Sequence, residues 1–176
     1  RRHSLKSILL TMTTSYAPYP QGRPRRLRRD VFTRNLVREH RLSAHDLIYP
    51  VFVLEGQQRR EEVASMPGVA RLSLDFLLPV AERCVALGIP YLALFPVVNA
   101  ACKDERGSES ANPQGLVPVV VRALKKHFPA LGIMTDVALD PYPSHGQDGI
   151  PEAPGYLDND LTITMLQQQA LCQAEA

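Results

Sequence analysis

The sequence predicts an α/β fold built on a parallel sheet. Three apolar segments carry that reading, at residues 47–54, 91–95 and 132–139. Each is followed by a stretch with helix signals. Strands that alternate with helices assemble as parallel sheets with right-handed crossovers. Residues 47–54, LIYPVFVL, form an unbroken apolar run, which suits a strand covered on both faces.

Length and composition set the bounds. A chain of 176 residues, 45% hydrophobic and 22% charged, is ordinary for one globular domain with a sizeable core. The formal net charge of +2 is too small to make nucleic acid the main partner. Cys84, Cys102 and Cys172 are far apart and odd in number. Neither a disulfide framework nor a zinc site follows from them, and a reducing, cytoplasmic setting is expected. No apolar run approaches the ~20 residues of a membrane helix, and residues 8–10 are too short for a signal-peptide core.

Residues 12–46 read as an extended N-terminal arm. Residues 13–30 are rich in Pro, Tyr and Arg without a hydrophobic period, and residues 23–29 carry five arginines. No aromatic platform accompanies them, so a solvated or protein-contacting tail is expected. A short helix is predicted over 30–38 from Val31, Phe32, Leu36 and Val37, then a capped turn at 43–46. Strand 47–54 follows, with Pro50 among its early residues, and then a polar loop over 55–69. Ser73 caps a helix that runs to Leu87, with Gly88 just past its end. Pro79 lies inside it and predicts a kink at 75–79. Residues 91–95 are the second strand, closed by Pro96. A loop over 98–111 leads to Asn112 as cap and Pro113 at the first position of a helix ending at Phe128. Pro118 reads as a second interior proline. Lys125 and Lys126 suit the helix end. Residues 132–139 form the third strand. The connection 140–160 is long enough to suggest function, and residues 161–176 begin the third helix, capped by Thr162.

The chemistry-bearing stretch is 135–149, TDVALDPYPSHGQDG. With a period of two, Asp136, Ala138 and Asp140 share one strand face. Carboxylates in a core require pairing or hydrogen bonds. Ser144, His145 and Asp148 follow in one loop, and strand ends of parallel α/β folds are where chemistry collects. Plainer roles stand beside these. Asp140 before Pro141 and Asp148 before Gly149 are ordinary turn residues. His145 in Ser-His-Gly is an ordinary hydrogen-bonding loop residue, and Lys103 an ordinary solvated one. Adjacent Ser144 and His145 cannot supply hydrolase geometry, and there is no G-x-S-x-G. No G-x-G-x-x-G or G-x-x-x-x-G-K-[ST] supports nucleotide binding. Doubly wound sheets and (β/α)₈ barrels both remain open.

Several strings together resemble the porphobilinogen synthase (5-aminolevulinate dehydratase) family. They are RLRR at 26–29, IYPVFVLEG at 48–56, SMPGV at 65–69, ALGIPYLALFPV at 86–97, NPQG at 112–115, DVALDPYPSHGQDG at 136–149 and GYLDND at 155–160. The resemblance covers residues 16–176. It implies the first three or so βα units of a (β/α)₈ TIM barrel, at 47–176, behind an arm that wraps a neighbouring identical subunit. Residues 1–11 then read as an upstream extension ahead of Met12. The implied activity is condensation of two 5-aminolevulinate molecules with loss of two waters. The family's Schiff-base lysines lie on later strands, beyond Ala176, so no lysine here inherits that role.

Asp140, Asp148 and Ala138 match positions where zinc-using members have cysteines. The resemblance therefore implies the bacterial magnesium-using branch, with no zinc-thiolate site and no organic cofactor. Asp140 and Asp148 are the candidate substrate-site carboxylates and candidate ligands of a hydrated hard cation. Asp136 stands behind them as a supporting carboxylate, and Ser144 and His145 as further candidates. A three-unit piece is expected to be inactive and poorly folded alone, with open sheet edges. The alternatives are another lyase on the same barrel, or a non-catalytic remnant that still binds partner subunits.

Overall fold

A computed structural model describes residues 17–176, except Pro24 and Pro154. The expected extension over 1–11, and residues 12–16 of the arm, lie outside the described residues. Contacts divide the chain into Arg1–Leu42 and Ser43–Ala176.

Among its described residues the first unit holds two short helices, α1 (Arg26–Arg29), within the stretch expected to be extended, and α2 (Val31–Leu36). Neither has a buried residue. Phe32 and Leu36 are 75% and 83% exposed, so the described residues of this unit build no core of their own.

The second unit opens on a 3-10 turn at Ala44–Asp46. The Asp46 carboxylate accepts from the Ser43 N–H at 2.7 Å and the Ser43 hydroxyl at 2.9 Å. These bonds are the largest reason that its pKa lies below the ordinary value. Then come β1 (Ile48–Leu54), β2 (Arg60–Glu62), β3 (Ala70–Leu72), α3 (Leu74–Ala86), β4 (Tyr91–Val97), α4 (Leu116–His127) and β5 (Gly132–Thr135). A hairpin of β6 (Ile150–Ala153) and β7 (Tyr156–Asp158) precedes α5 (Asn159–Ala174).

The sheet order is β2-β3-β1-β4-β5. Strands β3, β1, β4 and β5 run parallel, and β2 is an antiparallel edge. The β1–β4 ladder runs from Ile48 opposite Tyr91 to Leu54 opposite Val97. On one face Val51, Val53, Leu92 and Leu94 pack with Leu77 and Ala81 of α3 and Val120 and Leu124 of α4. Leu77, Leu92 and Leu124 are fully buried, and each such side chain contributes roughly 1.5–3 kcal/mol of hydrophobic stabilisation. On the other face Ile48, Tyr91, Phe95 and Met134 are each at least 37% exposed. The run at 47–54 is thus not covered throughout: α3 and α4 cover the face of Val51 and Val53, while Ile48 at the start of the other face is open.

Several boundaries differ from expectation for identifiable reasons. The loop over 55–69 contains β2, and β3 follows it; Ser73 ties them, its hydroxyl accepting from the Arg59 N–H at 3.0 Å. Pro96 does not close β4, since the ladder continues to Val97. Helix α4 starts at Leu116 rather than Pro113. The Asn112 side chain accepts from the Gln114 N–H at 2.9 Å and makes a separate turn, leaving Gly115 as the cap. Pro118 is therefore third in its helix, where an N–H has no intrahelical partner, and it is not an interior proline. Strand β5 ends at Thr135, not at residue 139. The 140–160 connection holds a hairpin. Helix α5 is capped by Asp158, which accepts from the Leu161 N–H at 2.8 Å. The Thr162 hydroxyl instead donates to the Asp158 carbonyl and accepts from the Ile150 N–H, tying the hairpin to the helix.

Helix α3 runs without interruption across Pro79. Past its end, Gly88 at φ +76° donates to the Val85 carbonyl and Ile89 to that of Cys84, a Schellman closure. Pro79 is exposed, so replacing it disturbs no core contact. Pro79→Ala restores one backbone donor and should raise stability by about 1–3 kcal/mol. Thermal denaturation checks this; an unchanged or lower melting temperature contradicts it.

Candidate active site

Past Thr135 the chain leaves the ladder, yet Asp136, Ala138 and Asp140 still face one cavity. It encloses about 160 Å³, with Phe52 of β1, Phe95 of β4 and the buried Tyr142 on its other walls. It sits at the C-terminal ends of the parallel strands, where such folds place ligands. The strand-face alternation is kept without the strand. The expected burial of the two strand carboxylates is not: Asp136 and Asp140 are exposed, as is Asp148 in its loop. No salt bridge reaches them among the described residues.

Asp140 stands above the ordinary carboxylate value. Desolvation at the cavity wall raises it first, then the negative charges of Asp148 and Asp136; Lys103 pulls it down. The residue remains exposed overall, so water and salt screen these effects. Lys103 is half-buried rather than simply solvated, and its positive charge acts on Asp140. Asp148 does not line the Asp136–Asp140 cavity.

Ser144 and His145 belong to a second, wider cavity of about 690 Å³, walled also by Glu105, Gln147, Glu152 and Tyr156. His145 Nε2 donates to the Glu105 carbonyl at 3.1 Å, and its Nδ1 accepts from the Gln147 N–H at 3.1 Å. Since a carbonyl only accepts and an N–H only donates, these partners fix a neutral ring with the proton on Nε2. Both ring nitrogens are engaged within the loops.

The same loops are joined along their backbones. The Ser144 N–H donates to the Asp104 carbonyl at 2.8 Å, and Asp104 bridges Pro143 in parallel. The Asp104 carboxylate accepts from the N–H groups of Ser108 and Arg106 at 2.9 and 3.0 Å. Those bonds, led by Ser108, hold its pKa below the ordinary value. Gly107 turns the chain at φ +64°, and a Cβ there would meet Pro143 and Tyr142 at 3.3 Å. Asp104 and Gly107 escaped the sequence reading, although Asp-x-x-Gly-Ser is a turn signal.

The carboxylates suit a cation. They are hard oxygen donors, the ligand type that hard, hydrated cations prefer. Among the described residues, no group of three His, Cys, Asp or Glu side chains is placed to hold a metal. The fit is thus to a hydrated hard ion that takes one or two carboxylates, or to an ammonium group. The three cysteines are free, and burial raises Cys84 first among its influences.

The chain is similar to known proteins in both sequence and fold. The family model described as delta-aminolevulinic acid dehydratase matches residues 21–176. The delta-aminolevulinic acid dehydratase of Bradyrhizobium diazoefficiens is 51% identical over 154 residues, covering 88% of this chain and 43% of that protein. That of Chlamydia pneumoniae is 41% identical over 87% of this chain and 46% of its own length. Among solved structures, the enzyme of Toxoplasma gondii ME49, in complex with its reaction product porphobilinogen, superposes with a TM-score of 0.83 at 42% identity. The match covers 88% of this chain and 44% of that one. The chain spans less than half the length of these relatives. A 156-residue match to the family model (176 − 21 + 1) takes in nearly all of the sequence, and the chain belongs to the delta-aminolevulinic acid dehydratase family.

Proposed function

We propose that this chain supplies the first βα units of a porphobilinogen synthase, which condenses two 5-aminolevulinate molecules with loss of two waters. The observation that carries the reading is the carboxylate group at the strand ends. Asp136 and Asp140 line one cavity, and Asp148 adds its charge beside them. A substrate bearing an ammonium group meets a site of complementary charge there. Asp140 and Asp148 orient that amino group, and the raised Asp140 carboxyl is suited to hold or pass a proton. Asp136 supports them. Ser144 and His145 shape the neighbouring loop.

The reading extends to the ion, the rest of the barrel and the assembly. A hydrated magnesium ion would rest on Asp140 and Asp148 and neutralise their mutual repulsion. No thiolate set for zinc is present at these positions, and the proposal includes no organic cofactor. The open sheet face of Ile48, Tyr91, Phe95 and Met134 packs, in this proposal, against further βα units of a closed barrel. The arm at 12–46 contacts an identical subunit in a cytoplasmic homo-oligomer. Its exposed Phe32 and Leu36 supply the apolar surface for that contact.

The polypeptide encoded by the gene should form porphobilinogen from 5-aminolevulinate. Asp140→Ala and Asp148→Ala should each lower turnover by about 10²-fold or more. Full activity in either variant would remove that residue from the site. Chelation should abolish turnover, and magnesium but not zinc should restore it; recovery with zinc alone would overturn the choice of ion.

Asp140 also predicts a pH dependence of stability. Its raised pKa means that the native chain holds this proton more tightly than the unfolded chain does. The stability it contributes is therefore present at low pH and is lost as pH rises from the ordinary carboxylate value through the raised one. Asp140→Asn should melt above the parent at neutral pH, and the gap should close on acidification below the ordinary value. A gap that stays constant with pH contradicts the crowding.

A further inference from the structure

The β4–β5 ladder stops at the pairing of Leu94 with Thr135. The next residues nonetheless present Asp136, Ala138 and Asp140 to one cavity. Their backbone needs another partner, and α5 provides one. Gln169 Nε2 donates to the Ala138 carbonyl at 3.0 Å, and Gln173 Nε2 donates to the Asp136 carbonyl at 3.2 Å. The spacing matches. Four helical residues rise about 6 Å, and two extended residues advance about 6.6 Å. Two glutamines one turn apart therefore reach two alternate carbonyls.

Burial makes the arrangement specific. Gln169 is 0% exposed and Gln173 7%. Carbonyls only accept, so both amides must turn their nitrogens toward them. Both Oε1 atoms are then buried with no hydrogen-bond partner among the described residues. A buried acceptor left alone is unfavourable by about 1–3 kcal/mol, and an apolar side chain of similar size would avoid it. The two N–H donors are what the amides contribute in return. The Gln169 amide also lies against Tyr142 on the far wall. Burial pushes the Tyr142 phenol up to about 12, and Gln169 offsets part of that rise.

We propose that Gln169 and Gln173 are positioning residues, a pair of amide donors that continues the strand geometry past the end of the ladder and sets where Asp136 and Asp140 stand in the cavity. The inference rests on the functional reading above, in which those carboxylates meet the substrate.

The test uses the polypeptide as its gene encodes it, with Gln169→Met and Gln173→Met. Each keeps side-chain length and removes the donor. Three readouts are compared with the parent: the ¹³C carbonyl resonances of labelled Ala138 and Asp136, the melting temperature, and kcat and KM for 5-aminolevulinate. The carbonyl facing each lost donor should move toward its unbonded position. Misplaced carboxylates should cost about tenfold or more in kcat while KM stays within about threefold, with little change in melting. Unchanged carbonyl resonances overturn the proposal. So does a shifted carbonyl with unchanged kcat, or a loss of activity that merely follows a fall in melting temperature. If the parent itself makes no porphobilinogen, the functional reading fails separately. The carbonyl resonances then decide alone: a shift upholds the amide support, and its absence refutes it.

Discussion

The hydrogen bond from the Ser144 amide to the Asp104 carbonyl joins two loops that leave different strands. One loop follows β4 and the other follows β5. Without such a tie, the segment that carries Asp140, His145 and Asp148 would have only its own turns to shape it. The bridge at Pro143, the contact of Gly107 with Pro143 and the His145–Glu105 bond all lie along the same seam. Asp104 is itself braced by two backbone donors. The polar loop therefore behaves as an extension of the sheet, with a defined position for each carboxylate.

That rigidity gives the electrostatics their meaning. Exposed carboxylates on mobile loops separate and are screened by solvent. Here desolvation raises Asp140 first, the charges of Asp148 and Asp136 add to it, and Lys103 opposes them. A fixed cluster of like charge is unfavourable in isolation and becomes favourable on meeting a cation, whether a metal ion or an ammonium group. The cluster lies at the strand ends of a chain that belongs to the delta-aminolevulinic acid dehydratase family.

Much of the fold was legible in the residues. The apolar runs gave β1, β4 and the start of β5, and Ser73 and Gly88 marked the limits of α3. The errors share a cause, since local polar bonds competed with the simplest signal. Asn112 spent its side chain on a turn, so α4 began three residues later. Asp158 outcompeted Thr162 as the α5 cap. The hairpin at 150–158 was hidden because the whole 140–160 stretch read as one long loop. That Asp136 and Asp140 share one face was legible from alternation, and the cavity keeps them together. Lys103 and the Asp104 tie were not, because both depend on a contact between loops about forty residues apart. Gln169 and Gln173 carried no signal either. Glutamine is an ordinary helix former, and only the placement of α5 makes it a backbone partner.

The most direct test is a crystal structure of the full gene product soaked with porphobilinogen. The account predicts the product against the cavity of Asp136 and Asp140, its amino group within hydrogen-bond reach of Asp140 or Asp148. Product bound elsewhere, with those carboxylates facing only water, would contradict it.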